Sequence, residues 1–284
     1  MSQTSDAGAF RLFDTDGIEV AQIETNGSTL KPFLNAVRQV VGECRIHFTE
    51  DGLRVSAVDP ANVFMIRAEL PASAFDTYNL PNDEGEIGVD VASFRYAIRR
   101  ARMNSDDTLE LQINDRRLYA SIGREYDDGT QVTTEDYVDL IDPDSVRMEP
   151  DIPDLDLTPL DVSQEAFVET TEYADASFTD YLKYEVADGD LLVAAKGDAA
   201  SSKARIKDVT DPDASLGALY STDYLSDALA AVRKAKADSL TVELGDEFPI
   251  TLGFERTNDD DDVILSGALL LAPRVQSGGP GGDE

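Results

Sequence analysis

Between Leu140 and Leu157 the chain sets Pro143, Pro150 and Pro153 among repeated aspartates, and this run can be neither a regular helix nor a central strand. Each proline removes a backbone donor and fixes φ, and alternating Asp and Pro favours an extended, semi-stiff path. Yet Val146, Met148, Ile152, Leu155 and Leu157 are too apolar for an ordinary solvated linker. The physical reading is a connector that lies along the protein surface and presents apolar groups. A chain interrupted at its middle in this way should consist of two halves about a hinge.

The two halves match. Asp51-Gly52-Leu53-Arg54-Val55-Ser56-Ala57 parallels Gly189-Asp190-Leu191-Leu192-Val193-Ala194-Ala195. In the first half, alternation predicts a strand over 17–23 and a capped turn at Asn26-Gly27-Ser28-Thr29. Leu30, Phe33, Leu34, Val37, Val40 and Val41 then form one apolar stripe on a helix ending at Gly42. Strands follow over 44–49, 53–58, 63–70 and 86–91. A second helix runs to about Arg102, with Val91, Phe94, Ile98 and Ala101 inward and Arg95, Arg99 and Arg102 one turn apart on another face. Strands over 109–113, 117–123 and 137–141 complete the half. The second half repeats the order: a helix over 163–174, strands over 181–187, 191–196, 202–206 and 216–220, a helix carrying Leu225, Ala228, Leu229, Val232 and Ala235, and strands over 240–244, 249–254 and 263–272. An internal repeat of this kind decides the fold class. It is α+β, a duplicated domain with helices on one face of antiparallel sheets. The expected division is an N-terminal extension over 1–16, a first domain over 17–139, a connector over 140–159, a second domain over 160–276 and a flexible Gly-rich tail over 277–284.

At 284 residues the chain can build two cores. No apolar run reaches bilayer-spanning length, and the first residues lack the basic and apolar regions of a signal peptide, so a soluble, non-membrane protein is expected. Cys44 is the only cysteine, which excludes internal disulfides and thiolate metal clusters and suits the cytoplasm. The net charge of −33 combined with 42% hydrophobic residues fits a folded protein from a very salty cytoplasm. At molar salt the Debye length falls to about 3 Å and self-repulsion is screened. So acidic a chain is ordinarily a poor partner for nucleic acid, and only local charge patterning can reverse that.

With this order in place, the chain resembles the proliferating cell nuclear antigen family of DNA sliding clamps. The resemblance covers about residues 17–276. It rests on Ser28-Thr29-Leu30-Lys31, Val58-Asp59-Pro60-Ala61-Asn62-Val63, Phe75-Asp76-Thr77-Tyr78, Glu247-Phe248-Pro249 and Leu271-Ala272-Pro273-Arg274-Val275. The Asp-Pro-rich connector is most similar to those of haloarchaeal clamps, cellular or viral. The resemblance implies a homotrimeric closed ring around duplex DNA, helices lining the hole and sheets outside. It also implies no catalysis and no cofactor, with DNA polymerase, a clamp loader and other partners inserting a short peptide (a PIP motif) between the domains. Carried over by residue, that pocket comprises Val63, Met65, Met148, Ile152, Pro249, Ala272, Pro273 and Val275.

The charges are patterned accordingly. Lys31 and Arg38 lie on the first helix, Arg95, Arg99 and Arg102 on the second, and Arg233, Lys234 and Lys236 on the fourth, which makes them the expected DNA-facing set. The third helix departs, with Glu165, Glu169 and Glu172 on one face. Contact with phosphates is then weak and sliding, held by topology. Ring closure in the family pairs edge strands of adjacent subunits. The matching strands place Asp136 and Asp139 opposite Lys203 and Arg205.

Other motifs read as structure. His47 sits in a strand without a nucleophile or metal ligand at useful spacing, and Cys44 is a small core hydrophobe. Asp259–Asp262 is a solvated hairpin loop. Asp14-Thr15-Asp16-Gly17 begins like a calcium loop but lacks its ligand Glu, and the glycines at 278–282 precede no helix. Two alternatives stand beside the clamp: a clamp-like binding module that forms no ring, and a carboxylate- and metal-dependent hydrolase hidden among the 57 acidic residues.

Overall fold

The computed structural model describes residues 20–148, 155–175, 179–197 and 200–274. The expected N-terminal extension, its Asp14–Gly17 motif, the tail, Ile152 and Val275 lie outside the described residues. The first half contains β1 (Ala21–Thr25), α1 (Gly27–Val37), β2 (Glu43–Thr49), β3 (Gly52–Val58), β4 (Phe64–Pro71), β5 (Thr77–Asn79), β6 (Glu84–Asp90), α2 (Val91–Ala97), β7 (Thr108–Ile113), β8 (Arg117–Glu125) and β9 (Gln131–Asp139). The second contains β10 (Thr158–Leu160), α3 (Gln164–Asp175), β11 (Tyr181–Ala187), β12 (Asp190–Lys196), β13 (Ser201–Ile206), β14 (Leu216–Ser221), α4 (Thr222–Ala235), β15 (Ser239–Leu244), β16 (Ile250–Thr257) and β17 (Val263–Leu271).

All strands pair antiparallel in three sheets, ordered β5-β1-β7-β8-β9, β10-β15-β16-β17-β4-β3-β2-β6 and β13-β12-β11-β14. The middle sheet joins the halves through β17 and β4, with Leu269 opposite Ile66 and Leu271 opposite Phe64. All four of those side chains are buried, so this joint is an apolar core in its own right. The helices form one layer against the sheets, in which α2 neighbours α1, α1 neighbours α4, and α4 neighbours α3.

The apolar stripe of α1 packs inward as its spacing predicts, with Leu30, Phe33, Leu34 and Val37 inaccessible. The cap is the Asn26 side chain, which accepts the Ser28 N–H at 2.8 Å, rather than a hydroxyl. Pro32 lies inside this helix and cannot donate to the Ser28 carbonyl. The Arg256 guanidinium, from β16 in the other half, donates to that carbonyl instead.

Both N-terminal-half helices are shorter than their periodicity predicts. α1 ends at Val37, not Gly42, because Gln39 and Val40 turn back onto the carbonyls of Ala36 and Val37 in a tighter last turn. α2 ends at Ala97, not Arg102. Arg99 and Ala101 turn back onto the carbonyls of Tyr96 and Ile98 in tighter turns, and the Lys31 ammonium takes the carbonyls of Arg99, at 2.9 Å, and Ala101 beyond the helix end. Arg99 and Arg102 therefore do not share a helical face with Arg95. The strand expected over 137–141 is the longer β9, and β5 and β10 were not legible because three residues carry no alternation. β10 is the end of the expected connector, and its Pro159 sits on an edge strand where no donor is needed.

Candidate nucleic-acid interface and docking pocket

The loop between β3 and β4 is built on Asp59. Its carboxylate is buried and accepts the N–H groups of Val63 at 2.8 Å, Phe64 at 2.9 Å and Ala61 at 3.1 Å, and the Tyr224 hydroxyl of α4 at 2.9 Å. Burial alone would push this carboxyl up. The Phe64, Val63 and Ala61 N–H groups with the Tyr224 hydroxyl outweigh it and hold Asp59 below the usual carboxylate range. The Asp59 carbonyl in turn accepts Arg147 of the connector at 2.6 Å.

This anchoring revises the picture of the connector. Asp142 caps a single 3-10 turn over 143–145. Val146 is then buried, not presented, and its carbonyl accepts Arg45 at 2.9 Å. Gly88 permits the approach: a Cβ there would lie 2.6 Å from the Ile141 carbonyl and 3.0 Å from Val146. Met148, immediately after Arg147, is 75% exposed.

Of the residues expected in the pocket, the structure brings Val63 and Ala272 together, the Ala272 N–H donating to the Val63 carbonyl at 2.8 Å. Met65 is buried in β4 beside them, opposite Leu270. Pro273 lines an open groove of about 510 Å³ with Gly217, Ala218, Asp246 and Glu247. Pro249 follows Phe248, whose carbonyl accepts the buried Tyr220 hydroxyl at 2.7 Å. Phe248 itself is 47% exposed, and although it belongs to the Glu247-Phe248-Pro249 motif it was not among the residues expected in the pocket. The anchoring role of Asp59, known beforehand only as part of a motif, and its partners Tyr224 and Arg147 were not foreseen, since nothing in a loop aspartate announces a partner 165 positions away.

The helical layer does not use its basic residues uniformly. Arg38 is exposed at the end of α1, and Arg95 donates to Asn35 at 2.7 Å. Burial, and then the Arg38 charge, lower the basicity of the Arg95 guanidinium, so two cations converge there. Lys234 reaches from α4 to Gln39 at 3.0 Å, and Lys236 is exposed at a left-handed C-cap. The others are engaged in structure. Arg99 pairs with Asp136 at 2.9 Å and covers the Tyr96 ring at 3.6 Å, while Arg233 pairs with Glu172 of α3. Arg102 pairs with Asp107 at 3.2 Å, as does Arg124 at 2.6 Å. Arg124, opposed by burial and supported by Arg102, holds the buried Asp107 carboxyl well below the usual range. On α3 the exposed face is acidic, as its sequence predicts, and burial, then Asp223 and Glu172, push the Asp175 carboxyl up.

β9 and β13 are each the outermost strand of their sheet. Lys203 and Arg205 share an exposed face of β13, as alternation predicts, and Arg205 lies 3.4 Å from Asp190 of its own chain. Asp136 and Asp139 do not share a face of β9. Asp136 turns to Arg99 beside α2, and Asp139 turns outward to Arg117 at 2.8 Å, because an odd spacing on a strand reverses the side. His47 pairs with Glu86 at 3.2 Å within the middle sheet. Cys44 is buried, and burial pushes its thiol up to about 12. In the Asp259–Asp262 hairpin the Asn258 side chain accepts the N–H groups of Asp260 and Asp262. Among the described residues, no three His, Cys, Asp or Glu side chains gather as a metal site requires, and no helix is long and apolar enough to cross a membrane.

Residues 20–145 match the N-terminal domain of proliferating cell nuclear antigen. The chain is 35% identical over 259 residues to the DNA polymerase sliding clamp of Natronomonas pharaonis, covering 89% of this chain and 97% of that protein. The Haloarcula marismortui DNA polymerase sliding clamp matches to the same extent. Among solved structures, the chain is similar to A. fulgidus PCNA bound to the C-terminal region of FEN-1, with a TM-score of 0.74 and 29% identity over 90% of this chain and 99% of that one. Thermococcus kodakaraensis PCNA shares the fold, with a TM-score of 0.72 and 21% identity over 89% and 100% of the two chains.

Proposed function

Because the chain belongs to the proliferating cell nuclear antigen family of DNA polymerase sliding clamps, we propose that it encircles duplex DNA as a closed ring and tethers replication and repair enzymes there. One observation carries the ring. Within the chain, β17 of the second half pairs with β4 of the first. The repeat leaves two strands in the corresponding places, β9 and β13, and both are unpaired edges among the described residues. Exposed edges of this kind invite association. Pairing β9 of one copy with β13 of the next repeats the internal joint head to tail, and such heterologous contacts close when the rotation does. Three copies give six repeats about one axis.

In that ring the helical layer faces the DNA. Arg38, Arg95, Lys234 and Lys236 are the cations available for phosphates, whereas Lys31, bound to the carbonyls of Arg99 and Ala101, and Arg99, Arg102 and Arg233 hold the fold. The acidic α3 makes the lining discontinuous, and at molar salt the contact is weak and sequence-independent. Partner peptides dock on the surface formed by Val63 and Ala272, with Pro249, Pro273 and the exposed Met148 around them and the buried Met65 beneath, apolar anchoring beside an extended segment being a recurrent mode of peptide capture. The FEN-1 segment on A. fulgidus PCNA is the precedent for a partner of this class. The clamp acts as a non-catalytic scaffold in a high-salt cytoplasm.

Light scattering in molar KCl and processive synthesis on primed circular DNA test the reading together. A mass of three chains with loader-dependent processivity is expected. A protein that stays monomeric across all salt concentrations is a clamp-like module without a ring, and metal-dependent hydrolysis of nucleic acid or phosphate esters would favour the hydrolase.

A further inference from the structure

Resting on the ring reading, we infer the register of the seam between copies: Glu135 of one chain lies directly opposite Lys203 of the next, and Asp136 opposite Ser202. The inference comes from superposing the chain's own repeat. Leu53 and Leu191 hold equivalent hairpin positions; Leu53 faces Leu70 and Leu191 faces Ile206, so β13 takes the place of β4 with Ser202 standing where Ile66 stands. Likewise Leu111 of β7 and Val242 of β15 are equivalent buried positions. They face Ala120 and Leu252, which face Asp136 and Leu269. Asp136 thus stands where Leu269 stands. Since Leu269 faces Ile66 and Ala268 faces Arg67 at the internal joint, Asp136 must face Ser202 and Glu135 must face Lys203.

The side chains agree with that register. Lys203 is exposed on the outer face of β13, and β9 alternation places Glu135 on the outer face with Asp139. Opposite charges directly across a ladder stabilise it. On the inner face, Asp136 is bound to Arg99 and the Ser202 hydroxyl donates to the Ala174 carbonyl of α3 at 2.8 Å. The apolar pair Leu269–Ile66 of the internal joint is therefore replaced by a polar pair at the seam. The helices follow the same rule. Counted from the caps Asn26 and Ser163, Ala36 of α1 and Tyr173 of α3 are equivalent, and Ala36 is wholly buried while Tyr173 is 61% exposed. Because α1 packs beside α4, Tyr173 packs beside α2 of the next copy, where Tyr96 is 59% exposed under Arg99.

Cross-linking tests the register, since directly opposed residues place their Cβ atoms about 4.5–5.5 Å apart, near disulfide range. Buried Cys44 gives little background. Glu135→Cys with Lys203→Cys, and separately Asp136→Cys with Ser202→Cys, are oxidised in molar KCl, with Glu135→Cys plus Arg205→Cys as the slipped control. Both in-register pairs are expected to give a covalent closed oligomer and the slipped pair to remain uncross-linked. Linking of the slipped pair instead overturns the register and keeps the ring. An assembled protein in which no pair links overturns the seam, and a wild-type protein that is monomeric by light scattering overturns the ring reading with it.

Discussion

The Tyr224 hydroxyl of α4 donates to the Asp59 carboxylate at 2.9 Å, joining residues 165 positions apart. Through it the loop that carries Val63 is held by the second half of the chain, and the Asp59 carbonyl holds Arg147 of the connector. The Val63 loop and the connector next to Met148 are thus held by one residue that a bound peptide need not touch. Tyr224→Phe is expected to cost about 1–2 kcal/mol of stability, because three N–H donors remain on the carboxylate. Asp59→Ala strands those donors and costs more, with a parallel loss of affinity for a polymerase-tail peptide. Denaturant midpoints and calorimetry in molar KCl measure both.

Met148→Ser is expected to weaken that peptide by about 1–2 kcal/mol, roughly fivefold to thirtyfold, while oligomer mass stays unchanged. Val146→Ser, by contrast, is expected to lower stability first, since Val146 is buried against Gly88.

Arg38→Ala with Arg95→Ala is expected to reduce processivity on circular DNA and to do so more steeply as salt is lowered, because cations that no carboxylate neutralises contribute through phosphate neutralisation. Asp107→Ala, which strands Arg102 and Arg124, is expected instead to destabilise the fold by about 3 kcal/mol. Equal loading by wild type and the double variant would remove Arg38 and Arg95 from the DNA-facing set.

Asp59 and Asp107 both have folded-state pKa values below the unfolded value. Their contribution is fully present above the ordinary carboxylate pKa of about 4 and is lost as pH falls below it. Urea midpoints are therefore expected to drop steeply below about pH 4, and Asp107→Asn to flatten that drop while lowering stability at neutral pH.

Pro32 and Arg256 form a complementary pair, the one withholding a donor from the Ser28 carbonyl and the other supplying it. Arg256→Ala is expected to cost about 1–2 kcal/mol. In a Pro32→Ala background the helix donates to that carbonyl itself, and the same substitution is expected to cost measurably less; a double-mutant cycle reads the difference.

Periodicity carried much of the fold because alternation and helical spacing record burial. β11 was legible to the residue, and the stripe of α4 is buried as spaced. Helix ends were not legible because an apolar stripe continues through a tighter turn: Ile98 and Ala101 are buried as spaced although α2 stops at Ala97 and Arg99 turns back onto Tyr96. The basic residues were legible as a set but not by duty, since Arg99 and Arg102 acquire their roles from Asp136 and Asp107 across the fold. The faces of Asp136 and Asp139 were available from strand parity alone. Their spacing is odd, so a single row of acids opposite Lys203 and Arg205 was never possible.

The two arginines that fasten the connector, Arg45 and Arg147, do so through main-chain carbonyls, those of Val146 and Asp59, Arg45 also pairing with Glu86 of the sheet. A carbonyl is present whatever side chain follows it. The exposed side chains of Asp144 and Asp156 take no part in either fastening, whereas Asp142 caps the turn: those two can be exchanged for other hydrated residues, as a change of ambient brine would favour, without loosening the segment. Surface chemistry and attachment are decoupled in the segment proposed to meet partners, so adaptation to salinity need not cost the clamp its grip on them.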